Sequence, residues 1–178
     1  EVCRAEAGPI AIRIMAEEAP EFEHDPALMH QAMVNLIRNA CDATRASGGD
    51  TILLSAGSGL VDPDGPDPSP GVVLRVRDEG DGFEPEAIER VFNPFFTTRA
   101  AGTGLGLPIV HRIVDAHGGA ISISNNPPSG PSQIAGATVE LRFPLRAARS
   151  IPEVVVAAGS RPAHALSVQE LSVNEESL

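Results

Sequence analysis

The stretch from Asp78 to Leu107, DEGDGFEPEAIERVFNPFFTTRAAGTGLGL, constrains this chain more than any other part of it. It sits one strand and one loop behind a helix-like run, HQAMVNLIRNACDA, from His30 to Ala43. An acid-Gly-Gly turn, a Phe-rich turn and a second Gly cluster follow an Asn-bearing helix in that order. Such an arrangement can build a nucleotide pocket. One piece fixes a base by its polar edge, one holds a metal, and one folds backbone over phosphates.

Bulk properties narrow the class. A chain of 178 residues fits one domain with a tail and can bury a core. The net charge of −11, from 13 basic and 24 acidic residues, argues against a nucleic-acid or anionic-membrane surface. It does not argue against ATP, because backbone N–H groups, a helix N-terminus and Mg²⁺ offset phosphate charge locally. Cys3 and Cys41 form neither a disulfide framework nor a metal spacing. No apolar run is long enough to span a membrane, and no signal-peptide pattern appears, so a cytoplasmic setting is expected. Glu1 in place of an initiating Met fits a piece of something longer.

Local signals predict the elements. Ile10–Met15 reads as a strand, and Ala19–Glu23 as a short second one. Asp25-Pro26 is a cap followed by proline at the first helical position, so a helix should run to about Ser47 and stop at Gly48-Gly49. Thr51–Ala56 reads as a strand, Gly57–Gly71 as an exposed loop and Val72–Asp78 as a strand. Pro85–Phe92 reads as a short helix and Leu105–His117 as a second long one. Ala120–Ser124 and Ala137–Phe143 are strands around a turn-rich NNPPSGPSQ run. Residues 1–146 form the expected domain, and 147–178 a tail or linker that is poorly ordered. Adjacent strands joined by loops favour a two-layer α/β sandwich over a doubly wound sheet.

On the first long helix, Met29, Met33, Leu36 and Ala40 form the expected core stripe, while Gln31, Asn35, Asn39 and Asp42 line another. Asn35 and Asn39 lie one turn apart and share a face. Their amide oxygens are neutral, hard ligands suited to Mg²⁺, although a solvated polar face fits the same pattern. Asp78 ends a strand, where a carboxylate can accept from the exocyclic amine of adenine. Gly80 and Gly82 would let backbone approach the base, although an ordinary Asp/Gly turn reads the same. An EF-hand loop fails because glycines occupy ligand positions.

Gly102, Gly104 and Gly106 precede a helix, whose N-terminus suits a triphosphate. Their GxGxG spacing is neither a Rossmann nor a Walker pattern. Asn93–Ala101 would be a flap, from which Thr97, Thr98 and Arg99 reach phosphate oxygens. Phe92, Phe95 and Phe96 would anchor that flap, with ordinary core packing as the alternative.

Together these residues resemble the catalytic ATP-binding domain of sensor histidine kinases, in the wider superfamily of gyrase and mismatch-repair ATPases. The likeness covers Ile10–Leu145. The family's N box resembles Asn35–Ala43, its first G box Asp78–Phe83, its F box Val91–Thr98 and its second G box Gly102–Leu107. The wording PFFTTR and GTGLGLPIVHRIVDAHGG is similar to the nitrogen-regulation type with a short lid. The resemblance implies a Bergerat ATP-binding fold, with a mixed, mostly antiparallel sheet packed on three helices. It implies ATP and Mg²⁺ as ligands, with Asn39 on the metal and Asn35 and Arg38 as phosphate or metal neighbours. Arg99 becomes a lid contact, and Thr138 joins Asp78 at adenine. Asp42, Phe83, Phe92, Thr103, Leu105 and Leu107 complete the expected nucleotide-binding set. A Lys is common in the family near His111 and Arg112, where a solvated helix face fits equally.

Related ATPases carry Glu where Asn35 stands, and that Glu activates water. Asn is no general base at neutral pH, so slow hydrolysis and transfer to a histidine are expected. None of His24, His30, His111, His117 and His164 lies in the family's acceptor motif. The resemblance therefore implies an acceptor on a separate helical hairpin, a response regulator downstream, and a monomer for this piece, whether the parent is soluble or membrane-anchored. The alternatives are an anti-sigma-type serine kinase, against which Asn35 counts, and a non-catalytic nucleotide-binding scaffold.

Overall fold

The structure is a computed structural model and describes residues 10–16, 19–66, 68–98, 102–127 and 136–145. Five strands form one sheet: β1 (Ala11–Ala16), β2 (Thr51–Val61), β3 (Ser69–Arg77), β4 (Ala120–Asn125) and β5 (Ala137–Pro144), in the order β1-β2-β3-β5-β4. Only β1 and β2 pair in parallel; the other three pairings are antiparallel. The parallel pair follows from its connection, helix α1 (Pro26–Ala46), since a crossover returns the chain in the same direction. Helix α3 (Gly106–Ala116) packs beside α1, and α2 (Pro85–Ile88) is a single turn. The mixed, mostly antiparallel sandwich expected from the sequence is the fold observed.

Helix α1 begins as its sequence dictates. The Asp25 carboxylate accepts from the N–H groups of Ala27 (2.8 Å) and Leu28 (3.1 Å), and Pro26 occupies the first turn. Met29, Ala32, Leu36, Ile37, Ala40, Cys41 and Thr44 are buried at three- and four-residue spacings. They meet Ile52, Leu54 and Val76 of the sheet and Val139, Leu141 and Phe143 of β5. Phe143 stacks on Phe22 (5.1 Å between centroids) and receives the edge of His117 (6.1 Å).

His117 closes α3 and joins it to α1. Its Nδ1 lies 2.7 Å from the Ile113 carbonyl, and its Nε2 accepts the Asp25 N–H at 3.0 Å. One nitrogen must donate and the other accept, which selects the neutral Nδ1–H tautomer. His117→Ala removes both bonds and the Phe143 contact. It should lower unfolding free energy by about 1–2 kcal/mol in urea titrations.

The two N–H groups on Asp25 hold its carboxyl below the ordinary carboxylate range. A depressed folded pKa contributes stability that is present above the unfolded value of about 4 and is lost as pH falls through the folded one. Asp25→Asn keeps an acceptor without titrating. Its stability difference from wild type should therefore shrink below about pH 4 and stay constant above it.

Three expectations need correction. Ala19–Glu23 forms no strand; Phe22 within it stacks on Phe143. Gly57–Gly71 is not all loop, because β2 continues to Val61 and β3 resumes at Ser69, paired from Gly57↔Val73 to Val61↔Ser69. Cross-strand pairing overrides the Gly and Pro signals there. The predicted Pro85–Phe92 helix stops at Ile88 and continues as turns.

Candidate functional site

The site is built where α1 passes two glycine elements. Asn35 and Asn39 are half-buried on α1. A Cβ added to Gly106, the first residue of α3, would lie 3.2 Å from Asn39 Nδ2 and 3.7 Å from the side-chain oxygens of both Asn39 and Asn35. The missing side chain leaves a cradle between two amides and a helix start. Asn35 Nδ2 donates to the Gln31 carbonyl at 3.0 Å, which fixes the orientation of its amide. Among the described residues no side chain caps α3, so the Gly106 and Leu107 N–H groups stand at a helix N-terminus suited to an anion.

One turn along α1, the same helix meets the other element. A Cβ on Gly80 would lie 2.8 Å from that of Ala43, and Thr44 Oγ1 accepts the Glu79 N–H at 3.1 Å. Asp78 is buried, and its Oδ1 accepts from the N–H groups of Gly80 and Ala137, each at 2.9 Å. The Gly80 carbonyl accepts from Gly136 N–H at 2.7 Å. Asn39 and Ala43 are one helical turn apart, about 5.4 Å. The Gly106 cradle and the Asp78 turn therefore meet α1 at successive turns, around Asn39 and Ala43.

Thr138 does not join them. Strand residues alternate in facing, and Thr138 pairs with Arg77 while Glu140 pairs with Arg75. Glu140 bonds both Arg75 and Arg142 on the face away from the helices. Thr138 points to that same face, where its hydroxyl donates to Asn126 Oδ1 at 2.6 Å. Ala137, buried on the helix side, is the β5 residue beside Asp78.

The Phe-rich turn is anchored by fewer residues than expected. Phe92 packs on the His111 ring at 5.0 Å, and Phe96 lies under the Arg90 guanidinium at 4.5 Å. Phe95 is 77% exposed, with φ of 68°, so it does not anchor the turn; its N–H donates to the Gly104 carbonyl at 3.0 Å. Thr97, Thr98, Gly102, Thr103 and Leu105 are exposed around the second Gly cluster, and Leu107 is half-buried. Arg38 is exposed on α1, and Asp42, also exposed, pairs with Arg45 at 3.2 Å. His111 pairs with Asp115 at 3.3 Å, and Arg112 is exposed. Arg99 lies outside the described residues.

Sequence reasoning missed four contributors. Thr44 continues the Leu36–Ala40 spacing and is fully buried, a signal that was available. Glu79 Oε2 accepts from the N–H groups of Asp50 (3.2 Å) and Thr51 (3.1 Å), tying the turn to β2. Asn125 bonds the Phe83 backbone, and Asn126 is buried against Thr138. Both asparagines sit in a run that reads only as turn.

Comparison with known proteins agrees with this geometry. The family described as histidine kinase-, DNA gyrase B- and HSP90-like ATPase matches residues 24–147. The chain belongs to that ATPase family. Within it, two similar relatives are sensor histidine kinases. The chain is 33% identical over 150 residues to sensor histidine kinase ZraS of Escherichia coli K12, covering 84% of the chain and 29% of that protein. It is 33% identical over 116 residues to sensory histidine kinase/phosphatase NtrB of Escherichia coli O157:H7, covering 65% of the chain and 33% of that protein. The chain thus spans about a third or less of these relatives. The solved catalytic domain of histidine kinase ThkA matches with a TM-score of 0.62 at 26% identity, covering 82% of the chain and 91% of that structure. A mycobacterial sensor histidine kinase, MprB, shares the fold with a TM-score of 0.62 at 24% identity, covering 82% and 90%. This ATPase-family domain is therefore the ATP-binding catalytic domain of a sensor histidine kinase. Among its described residues no helix is long and apolar enough to cross a membrane.

Proposed function

We propose that this domain holds Mg²⁺-ATP for transfer of the γ-phosphoryl group to a histidine on a separate helical hairpin, and that the full protein then passes it to an aspartate of a response regulator in the cytoplasm. The observation that carries this reading is the approach of Gly106 to Asn35 and Asn39 on the helix that also contacts the Asp78 turn. Asp78 would accept from the adenine amine, with Gly80, Gly82 and Phe83 shaping the approach to the base. Asn39 would ligate the metal, and the N–H groups of Gly106 and Leu107 would face the phosphates. Asn35, Arg38, Thr97, Thr98, Arg99 and Thr103 are the side chains proposed to surround them.

The residues present fit the metal. An amide oxygen beside a side-chain-free helix start supplies a neutral hard ligand and leaves room for waters and phosphate oxygens. Asn39 would hold the ion, which when bound would supply positive charge against the phosphates. The chain's own contribution is positioning. Asn35 offers no base to activate water, and its amide is already tied back to Gln31. The hairpin's histidine is the nucleophile in this reading, and residues 1–146 are the catalytic unit with 147–178 a tail or linker.

Calorimetry with Mg²⁺-ATP, followed by phosphotransfer to a hairpin supplied in trans, tests the proposal. Binding and labelled hairpin histidine are expected. Mg²⁺-dependent binding without transfer to any sensor-kinase hairpin would leave only a nucleotide-binding module.

A further inference from the structure

The acid-Gly-Gly turn leaves β3 at Asp78 and must end in a fixed place if its carboxylate is to read a base. Its beginning is held by Thr44 and by the Gly136 N–H to Gly80 carbonyl bond. Its far end is held by a side chain of β4. Asn125, at the end of β4, accepts the Phe83 N–H through Oδ1 at 2.7 Å and donates from Nδ2 to the Phe83 carbonyl at 2.7 Å. The amide thus copies the pairing a neighbouring strand would offer to a single residue. The turn is fitted closely to it. A Cβ on Gly82, which has φ of 78°, would lie 2.7 Å from Asn125 Oδ1. Asn125 itself pairs with Ala137, whose N–H donates to Asp78 Oδ1. One strand row therefore links the clamp on Phe83 to the carboxylate at the other end of the turn.

We infer that Asn125 is a positioning residue for purine recognition, setting the Asp78–Phe83 turn rather than touching the nucleotide. The inference rests on the nucleotide reading above. Asn125 is exposed, so truncating it leaves no cavity in the core. Thr44, fully buried, lacks that advantage as a test.

The experiment compares wild type, Asn125→Ala and Asn125→Asp by calorimetry with Mg²⁺-ATP, Mg²⁺-ADP and Mg²⁺-GTP, alongside amide hydrogen exchange at Phe83 without nucleotide. Asn125→Asp is isosteric, but sets a carboxylate oxygen against the Phe83 carbonyl. Both variants should weaken ATP about tenfold and speed exchange at Phe83. The ratio of ATP to ADP affinity should stay constant, because the phosphate end is untouched, while ATP-over-GTP preference narrows. A structural role alone would lower the melting temperature and leave that preference where it was. Unchanged ATP affinity in both variants, or equal weakening of ATP and GTP, would overturn the inference with the nucleotide reading intact. Wild type that bound no Mg²⁺-ATP would sink both.

Discussion

Replacing Asn39 by alanine is expected to raise the Mg²⁺-ATP dissociation constant about 30- to 150-fold with the fold intact. Asn39 is half-buried on α1, and its amide lies against the start of α3. Alanine is the better helix former, so the helix does not suffer. The loss is the interaction between an amide oxygen and a divalent cation, comparable to a hydrogen bond to a charged group at about 2–3 kcal/mol. Calorimetry with Mg²⁺ and again with EDTA separates the metal role from general packing. Wild type and variant should converge without the metal. Equal affinities with Mg²⁺ present would contradict the assignment.

Asp78→Asn should weaken ATP by about 2 kcal/mol, roughly 30-fold, and relax or reverse the preference against GTP. The argument lies in the two N–H groups. Gly80 and Ala137 both donate to Oδ1. An asparagine here must turn its carbonyl oxygen to those donors, or leave two buried N–H groups facing an NH₂. Its amine then faces the base. Adenine presents a donor there and guanine an acceptor, so one isosteric change inverts the match. Competition binding of ATP and GTP reads the result directly; unaltered selectivity would mean the base is recognised elsewhere.

Much of the fold was legible because its signals are local. Asp25-Pro26 and Gly48-Gly49 bound α1, and the alternation in Val139, Leu141 and Phe143 marks the buried face of β5. The failures come where partners distant in sequence decide. Gly57–Val61 reads as loop but is a strand, because β3 is there to pair with it. Phe95 reads as an anchor, yet left-handed backbone turns it to solvent, which composition cannot report. Thr138 is the most instructive error. A strand's facing flips with every residue, so a one-place difference moved its hydroxyl to the far side of the sheet and left Ala137 beside Asp78. Asn125 was invisible for the opposite reason: its clamp joins Phe83 to a strand end 42 positions away.

Paramagnetic broadening by Mn²⁺ tests the convergence of α1 and the second Gly cluster most directly. With Mn²⁺ and ATP together, side-chain amide signals of Asn35 and Asn39 and the backbone amides of Gly106 and Leu107 should broaden first. The Thr138 and Asn126 signals behind the sheet should stay sharp, and Mn²⁺ without nucleotide should have little effect. If the Asn39 amide kept its line width while another part of the surface lost its signals, the metal would lie elsewhere and the account would be wrong.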